Sequence, residues 1–355
     1  MVIKSLKLTN FRSWANYELE FNNVTILIGK NGVGKTNIME AVWILSTGRS
    51  WRTRADAETV NWDADLARVE AKIKDEKASR INLVIQKLPT KEHPQPKILK
   101  INDVKKRLID LLGLLPAVLF SPETIQMIDG APGLRRRFLD ILLSQIERKY
   151  ALSLLEYSKI LKERNRLLWA IKIGKSKQDE LDFWDEKLGL LGKFIIKKRE
   201  EAIRFFNELL SGFYEDISGG QESLKLRYRA SAEADKLGEM LVGTRERDIE
   251  STSTNFGPHR DDMLVLLNDK DITTFGSRGE YRSAVLAIKM AELKYLEEIK
   301  EEKPILLLDD IFSELDKDRR LHLAKIVSHQ QTIITTTDLD HIEKGLREKA
   351  KIIEL

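Results

Sequence analysis

The sequence predicts an α/β fold that is interrupted by a long helical insertion. Near the N-terminus, the apolar run Val24–Ile28 leads into a glycine-rich turn, and a helical pattern follows it. Near the C-terminus, the apolar run Ile305–Leu308 ends at two aspartates. Between these regions, residues 134–210 show helical periodicity and contain no proline. A mainly parallel sheet, split along the chain by a helical lobe, accounts for all three observations.

The composition excludes several classes of protein. The 355 residues include 60 Lys+Arg and 56 Asp+Glu, a net charge of +4, which excludes a histone-like polycation. The chain has no cysteine, which excludes disulfides and cysteine-ligated zinc or iron–sulfur sites. The longest apolar stretch, Leu111–Phe120, contains Pro116 and is too short for a membrane-spanning helix, which needs about 20 apolar residues. Because the start of the sequence has no apolar signal segment, we expect a cytoplasmic protein without a membrane partner.

Regular structure is predicted along most of the chain outside the insertion. Alternating or β-branched apolar runs predict strands at Ile3–Phe21 (strand, turn and strand), Val24–Ile28, Ile81–Leu88, Ile98–Asn102, Met263–Leu267, Ile305–Leu308 and Thr332–Thr336. Helical spacing of apolar residues predicts helices at Asn37–Leu45, Tyr281–Lys300 and Lys317–Ser328. The proline-rich segment Pro89–Lys97 is expected to be a surface connection.

The insertion is predicted to be an antiparallel helical hairpin that reverses at Gly174-Lys175-Ser176. Apolar residues recur at helical spacing on both sides of this turn: Leu154, Leu161 and Leu168 before it, and Trp184, Leu188, Leu191 and Ile195 after it. Trp169 and Trp184 fit the core of this hairpin. Residues 134–210 contain 18 Lys+Arg and 12 Asp+Glu, so this segment carries +6 and the rest of the chain −2. This excess of positive charge is consistent with either a solvated helical surface or part of a nucleic-acid-binding surface.

Residues 29–36 match the phosphate-binding loop pattern G-x-x-x-x-G-K-[ST] in the sequence Gly29-Lys30-Asn31-Gly32-Val33-Gly34-Lys35-Thr36. The strand before it and the helix after it are the context that this loop requires. Backbone N–H groups of the loop and the helix N-terminus bind phosphates, Lys35 contacts the β- and γ-phosphates, and Thr36 gives a hydroxyl to Mg²⁺. Lys30 is expected to be a solvated loop charge. The loop therefore predicts ATP and Mg²⁺ as ligands.

A second segment, Pro304–Asp310, complements this loop. Its apolar residues predict a buried strand, and two carboxylates emerge at the carboxyl end, where ligands gather in α/β sheets. Asp309 can hold Mg²⁺ directly or through water. Asp310 can orient and polarise the attacking water, which makes it, with Lys35, the candidate catalytic residue.

Three further segments resemble those of ABC-type ATPases. Ser277-Arg278-Gly279-Glu280 resembles the signature motif, in which a serine hydroxyl and a glycine N–H at a helix start bind an anion, although a helix-capping serine explains the same letters. Ser313-Glu314-Leu315-Asp316 resembles the D-loop, and Thr335-Thr336-Thr337-Asp338 occupies the place of the switch-histidine segment.

With these motifs in order, the chain resembles the RecF family of bacterial recombination-mediator ATPases. The resemblance rests on Leu6–Ser13, Gly29–Glu40, Gly48–Arg52, Phe120–Glu123, Arg135–Asp140, Gly257–Asp262 and Leu308–Asp316. It implies an ABC-type, SMC-like P-loop ATPase head at residues 1–120 and 255–355, with a helical-hairpin second lobe at residues 121–254. The hairpin is far too short for a long-armed cohesin-like machine.

The resemblance also implies a function and further site residues. ATP binding would join two copies into a homodimer, with Ser277 and Gly279 covering the nucleotide of the other copy. The dimer would bind DNA at single-strand/double-strand junctions and act with RecO and RecR to load a recombinase. Arg12 would reach the nucleotide. Arg135, Arg136 and Arg137 are candidate DNA contacts, because a basic first turn is unfavourable for a helix dipole unless an anionic group is near.

This chain departs from the family or from related ATPase heads at several positions. Trp51 stands where the family often has His, and Glu280 replaces the signature glutamine or polar amide. Ser121 stands at the Q-loop position, and Thr337 stands where transporters have the switch histidine. The second acid, Asp310, is one methylene shorter than Glu. We therefore expect slow ATP hydrolysis, typical of a switch.

Three other functions fit parts of the pattern. The soluble ATPase subunit of an ABC transporter would share the ATP motifs, but the helical insertion, Ser121 and Thr337 disfavour it. A stand-alone phage-defence ATPase is expected to carry an additional nuclease domain in several cases, for which 355 residues leave little room. A nucleotide-gated scaffold without activity would be distinguished by measuring hydrolysis.

Overall fold

The computed structural model describes residues 2–53, 55–74, 79–88, 96–327 and 329–355. Most of the predicted connection Pro89–Lys97, and Ser328 at the end of a predicted helix, lie outside the described residues. The strands are β1 (Val2–Phe11), β2 (Trp14–Glu20), β3 (Val24–Ile28), β4 (Leu66–Lys74), β5 (Arg80–Gln86), β6 (Lys97–Ile101), β7 (Val104–Lys106), β8 (Ala117–Phe120), β9 (Leu224–Arg229), β10 (Asp262–Leu267), β11 (Lys270–Asp271), β12 (Ile305–Asp309), β13 (Thr332–Thr336) and β14 (Lys351–Glu354).

The helices are α1 (Lys35–Thr47), α2 (Gln126–Asp129), α3 (Pro132–Ile146), α4 (Arg148–Lys172), α5 (Asp182–Ser218), α6 (Leu237–Gly243), α7 (Arg245–Ser251), α8 (Ile272–Phe275), α9 (Arg278–Lys300), α10 (Ile311–Glu314), α11 (Lys317–Val327) and α12 (Lys344–Arg347). Short 3₁₀ turns lie at Asp56–Thr59, Leu108–Asp110, Pro122–Ile125, Gln178–Leu181, Ala234–Lys236 and Leu339–His341. Within the described residues, no helix is long and apolar enough to cross a membrane.

Six strands form an antiparallel sheet in the order β2-β1-β4-β5-β6-β7. Along β4, exposed and buried residues alternate, because one face of the sheet packs on a core and the other meets solvent. The turn from β1 into β2 places Arg12 in the left-handed region with φ 54°. The predicted strand, turn and strand at Ile3–Phe21 is thereby confirmed.

Five strands form a parallel sheet in the order β14-β3-β13-β12-β8. Every residue of β12 and β13 is buried, as is typical of parallel strands that are covered on both faces. The register places Asp309 opposite Thr335, and Thr336 opposite Ile28. The carboxyl ends of β3, β13 and β12 therefore meet at one edge, and residues 29–36 and 309–310 follow there. We call this place the nucleotide edge.

The chain divides into two compact units: Met1–Ile125 with Asp216–Gly219 and Val285–Leu355, and Gln126–Glu215 with Gly220–Ala284. The first contains both sheets described above, and the second contains α3, α4 and a small sheet in the order β11-β10-β9. Residues 255–284 fall in the second unit because β10 pairs with β9. The predicted lobes, with boundaries at residues 120 and 255, stay a prediction about functional domains.

Helices α4 and α5 form the predicted antiparallel hairpin. Arg164 Nε donates to Asp185 Oδ1 at 2.6 Å, and the ring centroids of Tyr150 and Phe194 lie 6.5 Å apart. Residues later in α4 therefore contact residues earlier in α5, which shows that the two helices are antiparallel. Trp169 is 54% exposed, so its predicted place in the hairpin core is wrong. Apolar residues recur at helical spacing on two opposite faces of α4, one buried and one exposed. Trp169 lies on the exposed face.

A cluster of buried charges holds the second unit together. Arg164 is fully buried, and its guanidinium donates to Asp185, to Asp248 Oδ2 at 2.7 Å and to Thr254 Oγ1 at 2.9 Å. Because Asp248 and Asp185 are also buried, each charge faces an opposite charge inside the unit. We call these three residues, Arg164, Asp185 and Asp248, the hairpin ion cluster. A second buried arginine, Arg199, bonds Asp140 at 2.8 Å in the same unit.

The segment Gly257–Asp262 packs against this hairpin. Gly257 has φ 128°, and a Cβ there would lie 2.3 Å from the Tyr157 hydroxyl, so only glycine fits. His259 Nε2 lies 3.0 Å from the carbonyl oxygen of Thr254, and its Nδ1 lies 2.8 Å from the Tyr157 hydroxyl. Because a carbonyl only accepts, Nε2 carries the proton and the Tyr157 hydroxyl donates to Nδ1. Burial lowers the pKa of His259 to about 4, against the hydrogen bond with Thr254, which raises it.

Candidate nucleotide-binding site

The glycine-rich loop brings an uncapped helix start to the nucleotide edge. Gly32 and Gly34 have φ 89° and 105°, a conformation that suits glycine, and a Cβ on Gly34 would lie 2.8 Å from the ring of Trp14. Among the residues that the structure describes, no side chain caps helix α1, and its first turn has no acidic residue. Its first N–H groups and its dipole are therefore available to an anion. Nearly all of α1 is buried, including the polar residue Glu40, which the helical spacing of apolar residues does not assign to a core.

Lys35 is the first residue of α1, and its ammonium lies within the loop. Its Nζ donates to the carbonyl oxygen of Gly29 at 2.6 Å and to that of Lys30 at 3.0 Å. Two of its three N–H donors thus hold the loop together, which leaves the third for a phosphate oxygen. Burial lowers the pKa of Lys35, while the charges of Asp310 and Asp309 raise it.

Thr36 and Asp309 meet across the nucleotide edge. Thr36 Oγ1 donates to Asp309 Oδ1 at 3.0 Å, and Thr335 Oγ1 donates to the same oxygen at 2.7 Å. The structure therefore brings together the two side chains that the sequence assigned to Mg²⁺, and it adds Thr335, which sequence reasoning missed. Burial raises the pKa of the Asp309 carboxyl, and the two hydroxyl hydrogen bonds lower it.

Asp310 directly follows β12 and has φ 51°, in the left-handed region. Its backbone N–H donates to Thr335 Oγ1 at 3.0 Å, so Thr335 orients both aspartates. Its Oδ1 is buried and has no hydrogen-bond partner among the described residues. Burial raises the pKa of the Asp310 carboxyl, and the charge of Lys35 opposes this effect. A raised pKa makes a carboxylate a stronger base toward water.

His341 is a residue that acts electrostatically on Asp310, which the sequence did not reveal. Burial raises the pKa of the Asp310 carboxyl, and the charge of His341 is one of the smaller effects that lower it. Its Nδ1 is buried without a partner in the part of the chain that the structure describes. Thr337, at the switch-histidine position, is exposed. The histidine whose charge acts on Asp310 therefore lies four residues farther along the chain than the switch position.

Arg12 lies beside α1 and pairs with a buried carboxylate. Its Nη2 and Nε donate to the two carboxylate oxygens of Glu40 at 2.7 and 2.9 Å. Ser50 Oγ also donates to Glu40, and Arg52 Nη1 lies 3.4 Å from it. Glu40 thus joins the turn between β1 and β2 to the segment after α1, a role that its helical position did not indicate. Whether Arg12 contacts the nucleotide stays a prediction, and two arginines on one carboxylate leave an excess positive charge there.

Ser277 and Gly279 belong to the second compact unit, whereas Lys35, Thr36, Asp309 and Asp310 belong to the first. The Ser277 N–H donates to Glu280 Oε2 at 2.6 Å, and the Glu280 N–H donates to Ser277 Oγ at 3.3 Å. This reciprocal pair is a capping box at the start of α9. It explains Glu280 physically, since glutamate is a standard partner in that arrangement. The hydrogen bonds from Ser277 lower the pKa of Glu280.

The three consecutive arginines differ in their surroundings. Arg135 is buried, and its guanidinium bonds Asp262 at 2.7 and 3.0 Å and the carbonyl oxygens of Ile128 and Gly130 at 3.0 and 2.8 Å. Every nitrogen of that guanidinium has a protein acceptor, so Arg135 fits a structural role in this unit. Arg136 is half-buried and bonds the Asp261 carbonyl at 2.7 Å, and Arg137 is exposed. DNA contact by any of them stays a prediction.

Ser121 lies at the nucleotide edge as well. It follows β8 directly, and the register of β8 with β12 places it beside Asp309. Its hydroxyl is buried and has no hydrogen-bond partner among the described residues. The Q-loop position therefore contributes a short hydroxyl to this edge where related heads have a glutamine.

The sequence has full-length relatives. Residues 2–354 match the family described as RecF/RecN/SMC N terminal domain. The chain is 37% identical, over all of its length and 98% of the relative, to the DNA replication and repair protein RecF of Lachnoclostridium phytofermentans. It is 36% identical, over the same shares, to the protein of that name from Clostridium acetobutylicum.

Solved structures show the same fold. The structure of the recombination mediator protein RecF-ATP in the RecFOR pathway is 34% identical and has a TM-score of 0.88, covering 96% of this chain and 93% of that chain. The Smc head domain of Pyrococcus furiosus is 17% identical with a TM-score of 0.55, covering 99% of this chain and 92% of that chain, a likeness of fold alone. The predicted ABC-type, SMC-like head is confirmed.

Proposed function

The chain belongs to the RecF family of DNA replication and repair proteins, and on this premise we propose that it is an ATPase whose nucleotide-bound form is a DNA-binding homodimer. The observation that carries the proposal is the hydrogen bond of 3.0 Å between Thr36 and Asp309, because it assembles both halves of an ATP–Mg²⁺ site within one chain. The solved structures of RecF with ATP support ATP as the ligand.

The residues of the nucleotide edge fit ATP and Mg²⁺. The open N-terminus of α1 and the loop N–H groups receive phosphate oxygens, and Lys35 adds a positive charge to them. Thr36 and Asp309 supply the hydroxyl and carboxylate oxygens that Mg²⁺ prefers. When bound, Mg²⁺ would neutralise charge on the phosphates. It would also compensate the buried Asp309 carboxylate, whose pKa is raised by burial.

Asp310 is the group that we assign to water activation. Its buried and unpaired oxygen can accept a proton or a hydrogen bond from the attacking water, and Thr335 fixes its backbone. A single short carboxylate, with Thr337 where transporters have the switch histidine, supports slow turnover. Slow hydrolysis suits a protein whose ATP-bound state has to persist while it is on DNA.

The dimer is proposed to complete the site. In the resemblance to ABC-type heads, the signature segment faces the nucleotide of the partner copy. Ser277 is exposed and directly precedes the 23-residue helix α9, so its hydroxyl is accessible from solvent. The capping box and this role use the same serine, and a hydroxyl can accept one hydrogen bond while it donates another.

DNA is proposed as the macromolecular ligand, at junctions between single and double strands, with RecO and RecR as partners in recombinase loading. The names of the full-length relatives and the RecFOR pathway of the solved RecF structures support this assignment. The +6 charge of residues 134–210 supports contact with phosphates, which makes binding sensitive to salt. We place this activity in the cytoplasm.

The test is a mass measurement of the full chain with and without ATP–Mg²⁺, followed by addition of gapped DNA. We expect the mass to double with ATP–Mg²⁺ and the ATP form to bind the DNA. In a parallel sample, Lys35→Met should neither bind ATP tightly nor dimerise, because the ammonium that contacts the phosphates is gone. A thermal melt confirms that the variant is folded. A parent protein that stays monomeric with ATP–Mg²⁺, or a Lys35→Met protein that dimerises equally well, would contradict the proposal.

A further inference from the structure

Helix α4 carries two stripes on opposite faces. Tyr150, Tyr157 and Leu168 belong to the buried stripe that faces the rest of the unit. About half a turn around the helix lies a second row with alternating steps of three and four residues. We call this row the outer stripe: Leu152, Leu155, Lys159, Lys162, Arg166 and Trp169, all of them exposed.

The apolar members of the outer stripe are unusual for a surface. Leu152 is 42% exposed, Leu155 is 47% exposed and Trp169 is 54% exposed, and Ile173, one turn beyond Trp169, is 42% exposed. Single exposed apolar side chains are ordinary on proteins. Several at heptad spacing, from Leu152 in α4 to Ile173 directly after it, are typical of a seam that pairs with another helix.

The centre of the outer stripe is basic. Lys159 and Lys162 have no ion-pair partner among the described residues, and Arg166 bonds only the exposed side chain of Glu163, at 2.8 Å. Along the helix, the outer stripe is therefore apolar at its two ends and basic at its centre. An occupant has to bring apolar residues to both ends and negative charge to the middle.

We infer that the outer stripe binds an amphipathic α-helix of another protein, with acidic residues at its centre and apolar residues toward both ends. A second copy of this chain does not fit. Antiparallel pairing of two outer stripes would place Lys159 against Lys162, and parallel pairing would place each lysine against itself. DNA phosphates would engage the basic centre but would leave Leu152, Leu155 and Trp169 without apolar contacts.

The surface beside Trp169 offers a place for an anchoring side chain. A shallow depression of ≈ 370 Å³ is lined by Lys162, Asn165, Arg166 and Trp169. Its walls combine an indole ring with two cationic groups. An aliphatic or aromatic residue one helical turn from a glutamate would satisfy both.

The probes are two synthetic 25-residue helical peptides with leucine at the a and d positions of the end heptads. One carries glutamate at the central a and d positions and its twin carries lysine. Fluorescence anisotropy with the full-length protein should show the glutamate peptide binding at least tenfold more tightly than the lysine peptide. The protein variant Lys159→Glu/Lys162→Glu should reverse this preference. Trp169→Ser should weaken the glutamate peptide several-fold, and a thermal melt should confirm that both variants are folded.

Three results would overturn the inference. The first is equal affinity for the two peptides, or a preference that the charge-reversed protein does not invert. The second is a change in the nucleotide-free association state on Lys159→Glu/Lys162→Glu, which would identify a second copy as the occupant. The third is loss of gapped-DNA binding in that variant together with displacement of the glutamate peptide by DNA, which would assign the stripe to nucleic acid.

Discussion

The nucleotide edge of the first unit and the hairpin ion cluster of the second both bury charged side chains, yet they satisfy them differently. At the nucleotide edge, Asp310 Oδ1 and the Ser121 hydroxyl are buried without hydrogen-bond partners among the described residues, and Asp310 has a left-handed φ. In the ion cluster, Arg164 has acceptors on all three nitrogens, from Asp185, Asp248, Thr254 and the Leu241 carbonyl.

The difference separates charge buried for chemistry from charge buried for architecture. An unpaired buried oxygen costs stability, so it persists where a ligand or a reacting water completes its hydrogen bonds. A fully paired buried ion holds particular segments in one arrangement, and removing one partner exposes the whole desolvation cost of the others. Substitutions at the nucleotide edge should therefore change activity and spare stability, and those in the ion cluster should do the reverse.

The largest effect is expected for Asp310→Asn. The amide cannot take a proton from water, so hydrolysis should slow by about 10²–10⁴-fold while ATP binding and the melting temperature are retained. Steady-state phosphate release, nucleotide titration and a thermal melt measure the three quantities, with Asp318→Asn on the surface of α11 as the matched control. Hydrolysis at the parent rate would move the catalytic role to another group, of which His341 is the first to test.

The next effect is expected for Arg164→Met, which leaves Asp248 buried beside an uncharged side chain and leaves Asp185 with its salt bridge to Arg245. We expect a loss of about 3–5 kcal/mol in the free energy of unfolding. Arg166→Met is a matched control on the same helix, because Arg166 pairs with Glu163 in solvent and should cost less than about 1 kcal/mol. Denaturant melts of the parent and the two variants measure these losses in the free energy of unfolding. Equal losses would show that the hairpin does not depend on its ion cluster.

A smaller effect concerns pH and His259. Its folded pKa of about 4 lies below the unfolded value of 6.5, so the unfolded chain binds the proton more tightly. Above pH 6.5 His259 is neutral in both states and does not change the free energy of unfolding. As the pH falls from 6.5 toward 4, the unfolded chain takes up a proton that the folded chain does not, and the free energy of unfolding is lower by about 2 kcal/mol at pH 5. Melts from pH 7.5 to 5 should show a shallower decline in His259→Gln than in the parent or in His322→Gln. If stability declines equally with pH in all three proteins, protonation of His259 does not contribute to that decline.

The smallest effect is expected at the capping box. Ser277→Ala removes the acceptor for the Glu280 N–H and should cost about 0.5–2 kcal/mol of stability. Ser277→Asp keeps a capping oxygen, so its melting temperature should stay close to that of the parent. It adds a negative charge where the partner's phosphate is proposed to lie, so ATP-driven dimerisation should be lost. If Ser277→Asp dimerises with ATP as the parent does, Ser277 is a helix cap and nothing more.

Local sequence patterns predicted the fold well where all residues of a motif lie next to one another in the chain. The phosphate loop and the apolar strand before Asp309 follow from spacing alone, because both motifs are contiguous and their strands are buried on both faces. Trp169 was misplaced because heptad spacing on α4 describes the outer stripe as well as the buried one. The nearly complete burial of α1 was missed, since polar residues such as Glu40 at helical spacing look like a solvated face.

Contacts between distant segments could not be predicted from the sequence. Thr335 orients Asp309 and Asp310 from the next strand, which only the sheet register reveals. Arg164 and Asp248 are 84 residues apart, and no local pattern marks them as partners. The same limit explains Arg135, whose position in a basic run suggested DNA but whose acceptor, Asp262, comes from β10.

The most direct test of the composite ATP site is a mixing experiment between Ser277→Asp and Lys35→Met. The first variant keeps its own phosphate loop, and the second keeps its own signature segment. Sedimentation with ATP–Mg²⁺ should show each variant alone as a monomer. The mixture should form a heterodimer with one intact site, made of the loop of the Ser277→Asp protein and the Ser277 of the Lys35→Met protein. A mixture that stays monomeric while each variant remains folded, or a Ser277→Asp protein that dimerises by itself, would contradict a nucleotide site shared between two copies.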